Sequence, residues 1–278
     1  MNALHALILG AVQGLTEVLP ISSSAHLILI PWLAGWPPSG LTFDVALHVG
    51  TLLALLLYFW RDIFDMTVSF IRALAGERFR TFANRLPFYI IIGSIPAAIV
   101  GKTLEEPIEA MFRGSPARIA FFLIFFALVL AFADTMGAKR AQIDRINLKA
   151  VIIIGIAQCL ALIPGVSRSG ITITAALLLG FKRDAATRFS FLLSLPIVAG
   201  AGILKLGKLL KHGIPAGEAQ PLVIGIAVSA FFGYLSIALL LKLVQRHTLY
   251  PFVWYRLVAG AGCCSLPYWP DRSDPHPT

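Results

Sequence analysis

Charge is what this sequence has least of. Only 13% of its 278 residues are Asp, Glu, Lys or Arg, about half the share that an ordinary soluble domain carries. With 58% hydrophobic residues and a mean hydropathy of +0.81, the chain cannot cover a water-exposed surface. It is expected to be a polytopic, all-α membrane protein. Acidic residues are scarcer than basic ones, 14 against 23, which leaves a net charge of +9. That excess does not point to nucleic acid, because the basic residues fall in short linkers between apolar runs, where they suit loops facing anionic lipid. The three cysteines (Cys159, Cys263 and Cys264) show neither a pairing pattern nor zinc-ligand spacing and are read as small apolar filler. No basic stretch precedes the first apolar run, so no cleaved signal peptide is expected.

Full-length apolar runs are missing at two places. A helix needs about 20 apolar residues to cross the hydrocarbon, whereas 10 to 14 suggest a re-entrant segment. Residues 3–18 and 22–33 are short and are separated by Pro20 and a run of serines. Proline removes a backbone donor and disfavours helix at the residue before it, so a break is expected at Leu19. Residues 150–163 and 169–180 repeat this plan around Pro164-Gly165. Each pair reads as a hairpin that enters and leaves the membrane on one side. Between and after them come plausible full spans at 43–60, 87–102, 118–134, 186–207, 219–242 and 251–267.

Basic linkers at 61–86 and 134–149 mark the cytoplasmic side, and the acidic loop at 103–117 marks the outside. The lysines at 205, 208 and 211 run against this alternation and are outvoted by the two basic linkers. Shifting the sequence by 145 residues pairs Gly10 with Gly155, Gln13 with Gln158, Ser22 with Ser167 and Ser24 with Ser169. Three full spans lie between the hairpins, so they enter from opposite sides, the arrangement of an inverted-topology repeat. The expected fold is therefore one membrane domain over 1–278, with repeats at about 1–134 and 150–267. It would have about six full spans, two re-entrant hairpins meeting near the bilayer midplane, and a flexible tail at 268–278.

Against that apolar background, two stretches carry chemistry. Between Met1 and Phe43 the only formal charge is Glu17, and an ionisable residue inside the membrane is a functional-site hypothesis by default. Gln13 lies one turn before it on the same helix face. Ser22, Ser23, Ser24 and His26 follow at a new helix start, where hydroxyls and free N–H groups favour an anion. The other stretch offers Ser167, Arg168, Ser169 and Thr172, and Arg168 is the only basic residue between Lys149 and Lys182. Its fork of donors fits a pair of phosphate oxygens. Asp44 and His48, at the start of the third segment, are read as capping and packing residues. Serines could also bond back to their own helices, and Glu17 with Arg168 could form a purely structural ion pair. Six hydroxyls gathered at two helix breaks favour a phosphate site.

Gln13-x-x-x-Glu17, Pro20-x-Ser-Ser-x-x-His26 and Pro164-Gly-x-Ser-Arg-Ser-Gly-x-Thr172 together resemble the undecaprenyl-diphosphate phosphatase family, integral-membrane proteins associated with bacitracin resistance. The resemblance covers nearly the whole chain. It implies hydrolysis of undecaprenyl diphosphate to the monophosphate and inorganic phosphate, which recycles the lipid carrier for cell-wall synthesis. It also implies a multi-pass protein of the bacterial inner membrane, a site facing the periplasm, and magnesium or calcium as the divalent cation. The family's acidic motif positions fall on Gln13 and Glu17, the expected metal residues; the family admits Glu or Gln at the first. Ser24 stands where the family often has threonine.

In the roles expected from the residues, Arg168 clamps the diphosphate together with Ser22, Ser24, Ser167, Ser169 and Thr172, and Glu17 with Gln13 holds the metal. Ser23 attacks phosphorus with His26 as its base, or else a water attacks, positioned by His26 or Glu17. A homodimer is among the partner expectations. A transporter or flippase of the same lipid is the alternative function, because broken helices in inverted repeats also build carriers. The type-2 phosphatidic acid phosphatase pattern fails, because the histidine it needs seven residues after Ser167 is Thr174 here.

Overall fold

Proline and serine decide where the first helix stops. In the computed structural model, which describes residues 2–37, 39–76, 81–112, 115–212 and 218–264, helix α1 spans Ala3–Val18. It starts at Asn2, whose side chain accepts the His5 N–H at 2.8 Å. It ends where Leu19, ahead of Pro20, takes extended backbone at φ −69°, ψ 145°. Helix α2 (Ser23–Leu33) resumes after a tight turn. Both are as short as the hydropathy expected.

Helix α3 (Leu41–Tyr58) then bends by 76° into α4 (Trp60–Leu74). Residues 61–86 were expected to be only a linker, but most of their first half is this helix. Its apolar residues Ile63, Met66, Phe70 and Leu74 recur every three to four positions among Arg61, Asp62, Asp65 and Arg72. None of its residues is buried, and Phe64, Ile71 and Leu74 are exposed. This is the pattern of an amphipathic helix lying in the membrane interface.

Helix α5 (Phe82–Phe112) runs ten residues beyond the expected span end at 102, into the stretch read as an acidic loop. Charges interrupt the hydropathy there without interrupting the helix. Helix α6 (Pro116–Met136) follows, with proline at its first position. Then come α7 (Leu148–Gln158), a 3-10 turn at Cys159–Leu162, α8 (Arg168–Leu178), α9 (Arg183–His212), α10 (Ala219–Val244) and α11 (Tyr250–Cys264). Apart from an isolated bridge between Ala141 and Phe181, no strand occurs among the described residues.

Among the described residues, four helices are long and apolar enough to cross a membrane: Phe82–Leu104, Pro116–Met136, Arg183–Ile203 and Ala219–Val244. The bent α3–α4 pair is a fifth candidate. The chain is thus an all-helical polytopic protein. The expected span at 251–267 is described as far as Cys264, and the expected tail at 268–278 lies outside the described residues.

Small residues let α1 and α3 close on α10. A Cβ on Gly14 would lie 2.6 Å from the Ser229 carbonyl oxygen, and one on Gly50 would lie 2.5 Å from that of Ile226. Gly225, Ser229 and Gly233 recur every fourth residue along α10, a spacing that brings backbones together when burial of apolar surface gives no drive between helices. Across the bundle, a Cβ on Gly155 of α7 would lie 2.5 Å from the Gly93 carbonyl of α5. At the far ends of the helices, buried Asp134 accepts Arg183 Nε at 2.5 Å and the Leu249 N–H at 3.0 Å, tying α6 to α9 and to the approach of α11.

Alanine is about 1 kcal/mol better than glycine inside a helix. Gly200→Ala, where a Cβ meets nothing within 4 Å, should therefore leave stability unchanged or raised. Gly14→Ala should lower it by about 1–3 kcal/mol, because backbone rather than a flexible side chain blocks the added methyl. Thermal unfolding of both variants in detergent checks the opposite signs.

Candidate active site

Both helix breaks end on a serine that is bent into unusual backbone. Ser22 has φ 74°, ψ 94° and Ser167 has φ 73°, ψ 118°, positive values that a residue with a Cβ rarely adopts. Each immediately precedes the helix that follows its break. Each also shares a hydroxyl contact of 3.2 Å with the serine two residues on, Ser22 with Ser24 and Ser167 with Ser169. Ser167 Oγ caps α8 by accepting the Gly170 N–H at 3.1 Å. Gly165, at φ 98°, makes the turn before it.

The two breaks are stitched together directly. Ser22 Oγ accepts the Gly165 N–H at 3.1 Å, and Ser169 Oγ donates to the Leu19 carbonyl at 3.0 Å. Beneath both lies Arg256, wholly buried, donating to the carbonyls of Pro20 (3.2 Å), Gly165 (2.8 Å) and Leu123 (3.2 Å). Pro20 and Gly165 are themselves 145 residues apart, so one guanidinium holds equivalent carbonyls of the two tips. Sequence reasoning passed over Arg256, although it is a lone charge in an apolar helix, the same signal that marked Glu17.

Glu17 sits at the centre of the polar cluster, with its side chain only 8% exposed. Its Oε1 accepts Arg168 NH2 at 2.6 Å. Its Oε2 accepts the Ser23 hydroxyl at 2.5 Å and the Gln13 side-chain amide at 3.1 Å. His48 Nε2 approaches the same Oε2 to 3.9 Å. The expected meeting of the two stretches is therefore made through Glu17 and Arg168. His48, expected only to pack, lies beside the carboxylate; α3 reaches the site by tertiary packing, which leaves no local sign along the chain. Asp44 does act locally, accepting the Ser39 hydroxyl at 2.6 Å in the first turn of α3.

Two expected contacts turn elsewhere. His26 is not brought to Ser23. Its Nδ1 meets the Ser22 carbonyl at 2.7 Å and its Nε2 meets the Tyr255 hydroxyl at 2.6 Å. Since a carbonyl only accepts, the neutral ring carries its proton on Nδ1, and Nε2 accepts from the tyrosine. With both nitrogens engaged, the ring has no position free for the serine, and the group in contact with Ser23 is Glu17. Thr172, expected at the phosphate, donates back to the Arg168 carbonyl at 2.8 Å and pairs with Ser190 at 2.6 Å in the core. Ser22 and Ser169 are likewise engaged in joining the tips, and Ser167 in capping α8. Ser23 is half-buried and Ser24 exposed.

Two polar atoms of this cluster are buried without a partner, Arg168 NH1 and Gln13 Oε1. Burying such groups unpaired costs about 1–3 kcal/mol each, more for a charged one, so the pair marks a place shaped for something else. An unpaired guanidinium nitrogen suits an anionic oxygen. An amide oxygen beside a carboxylate is a hard donor set that suits magnesium or calcium. Among the described residues no group of three or more His, Cys, Asp or Glu is placed to hold a metal ion, so these side chains alone would not complete a coordination shell. The residues present thus fit a hard divalent cation shared with oxygen ligands from outside the protein.

Arg256→Ala would leave three buried carbonyls unpaired and open a void between the tips. It should destabilise the protein by about 3–5 kcal/mol, read as a lowered unfolding temperature in detergent, with Arg256→Lys recovering only part of the loss because lysine lacks the planar fork.

Comparison with known proteins places the chain in a family. The family model for bacitracin resistance protein BacA matches residues 6–262. An undecaprenyl-diphosphatase of Geobacter metallireducens is 70% identical over 94% of this chain and 97% of its own length. Proteins of the same description from Geobacter sulfurreducens and Moorella thermoacetica are 67% and 49% identical, each over 94% of this chain and 96% of their own. The chain belongs to the bacitracin resistance protein BacA family.

Proposed function

We propose that this protein is an undecaprenyl-diphosphate phosphatase, releasing inorganic phosphate and leaving undecaprenyl phosphate in the membrane. The observation that carries this reading is the Ser23 hydroxyl, 2.5 Å from a carboxylate whose other oxygen is held by Arg168. A hydroxyl, a proton acceptor and a guanidinium with a spare donor form a phosphoryl-transfer constellation, and two helix starts beside them favour the anion. A lipid carrier would need the anion contacts but no hydroxyl poised on a carboxylate, so the same atoms favour hydrolysis over transport.

In the proposed reaction, Ser23 Oγ forms a bond to the terminal phosphorus as the bridging oxygen leaves with undecaprenyl phosphate. Glu17 takes the hydroxyl proton, in place of the His26 expected from the sequence. Once Glu17 has given that proton to the leaving oxygen of undecaprenyl phosphate, a water attacks the phosphoserine with Glu17 accepting its proton, and phosphate departs as this second proton passes to Ser23 Oγ. Arg168, through NH1, neutralises charge on the equatorial oxygens, where preorganised donors act most strongly. His26 and Tyr255 fix the Ser22 carbonyl and so the direction of the first turn of α2. A magnesium or calcium ion held by Glu17 and Gln13 would add Lewis-acid neutralisation of the diphosphate.

The finer architecture belongs to the same proposal. The matched serines and the shared contacts of Arg256 support two inverted repeats, about 1–134 and 150–267, in one membrane domain with about six spans. The hairpins α1–α2 and α7–α8 would then enter from opposite faces of the bacterial inner membrane and meet near its midplane, with the site open to the periplasm. A homodimer is compatible with the exposed apolar flanks that lipid otherwise covers.

Phosphate release from undecaprenyl diphosphate by the purified protein in detergent with magnesium tests the reading. Ser23→Ala and Arg168→Ala should each lower the rate by roughly 10³-fold with the fold intact, and chelation of divalent cations should abolish it. Near-normal hydrolysis by folded Arg168→Ala would remove the proposed clamp, and by Ser23→Ala the covalent step.

A further inference from the structure

His48 has the geometry of a ligand whose ion is missing. Its Nδ1 lies 2.7 Å from the carbonyl of Asp44, four residues earlier on α3. A carbonyl only accepts, so Nδ1 donates and the Nε2 lone pair is left facing outward. Metal-bound histidines are held in this way, by donation of the other ring nitrogen to a carbonyl or carboxylate, which fixes both tautomer and orientation. Nε2 lies 3.9 Å from Glu17 Oε2, too far for a hydrogen bond. Two ligands of one octahedral ion with bonds near 2.1 Å are separated by roughly 3 to 4.2 Å, a window that contains this distance.

A second observation points the same way. Gln13 is wholly buried, its amide nitrogen is bound to Glu17, and its amide oxygen has no partner. One turn of α1 therefore presents an unpaired hard oxygen next to the carboxylate that His48 faces. The side chain of His48 is 40% exposed, so the place between them can be reached from outside the core.

We propose that His48 Nε2 is a third protein ligand, completing a divalent-cation site with Glu17 and the amide oxygen of Gln13. The inference rests on the phosphatase reading for the purpose of the ion but not for its position. One imidazole among oxygen donors has a consequence for selectivity. Nitrogen ligands favour transition metals over magnesium and calcium, so the site should prefer manganese to magnesium by more than an all-oxygen site would.

The test uses the purified full chain in detergent with manganese(II) as both ligand and probe. Pulsed electron paramagnetic resonance of the bound ion should show coupling to an imidazole ¹⁴N, replaced by ¹⁵N coupling when the protein is grown on ¹⁵N-histidine. In His48→Gln the coupling should vanish, and the preference for manganese over magnesium in direct binding titrations should fall by about tenfold or more. Manganese bound without nitrogen coupling, coupling that survives in His48→Gln, or no manganese binding at all would each overturn the assignment. The labelled native protein tests the ligand even if the variant fails to fold. Phosphate release measured on the same sample separates the two claims. Hydrolysis without the coupling removes His48 alone, whereas coupling without hydrolysis removes the reaction and keeps the ligand.

Discussion

A carboxylate and a guanidinium held 2.6 Å apart inside an apolar bundle are the constraint on which this structure turns. Leaving either Glu17 or Arg168 buried there without the other would cost about 3–5 kcal/mol. They come from different helix breaks 151 residues apart, so their pairing requires the two hairpins to meet. An ion pair of this kind adds little net stability, and hydrophobic residues would join the tips at least as well. What the pair does provide is a carboxylate whose orientation is fixed from one side while Ser23 contacts it from the other.

The backbone around the pair is strained at matching points and held there from several directions. Ser22 and Ser167 both take positive φ, a conformation that costs of order 1–3 kcal/mol for a residue with a side chain. Such strain persists only where the surroundings over-determine it. Here Gly165, Ser169, His26 and Arg256 each bond a neighbouring tip group. The bend turns the first residues of α2 and α8 toward a common place, so Ser23 and Arg168, equivalent under the 145-residue shift, arrive as a hydroxyl and a cation. Equal backbones thus carry unequal chemistry.

Much of this was legible in the sequence because membranes make charge and proline conspicuous. Pro20 and Pro164-Gly165 located the breaks, Glu17 and Arg168 stood out as isolated charges, and Gln13 was placed by its helical spacing. Hydropathy misjudged the regions where it changes without a change of conformation. Residues 103–112 stay helical despite their glutamates, and α4 is hidden by a period of three to four rather than an apolar run. The contacts of His26 with Tyr255 and of Arg256 with both tips span 91 to 236 residues, and no local pattern encodes them. Ser23 with His26 looked natural from spacing along one helix, yet the ring is turned away by a carbonyl of its own helix and a tyrosine from another.

The central claim is that the two tips build one anion site, and binding geometry tests it most directly. A crystal structure with a non-hydrolysable diphosphonate lipid analogue should place the terminal phosphonate against Arg168 NH1 and Ser23 Oγ, at the start of α2. The analogue bound instead in the cavity lined by Tyr58, Asp62 and Arg188, with Arg168 still turned wholly to Glu17, would contradict it.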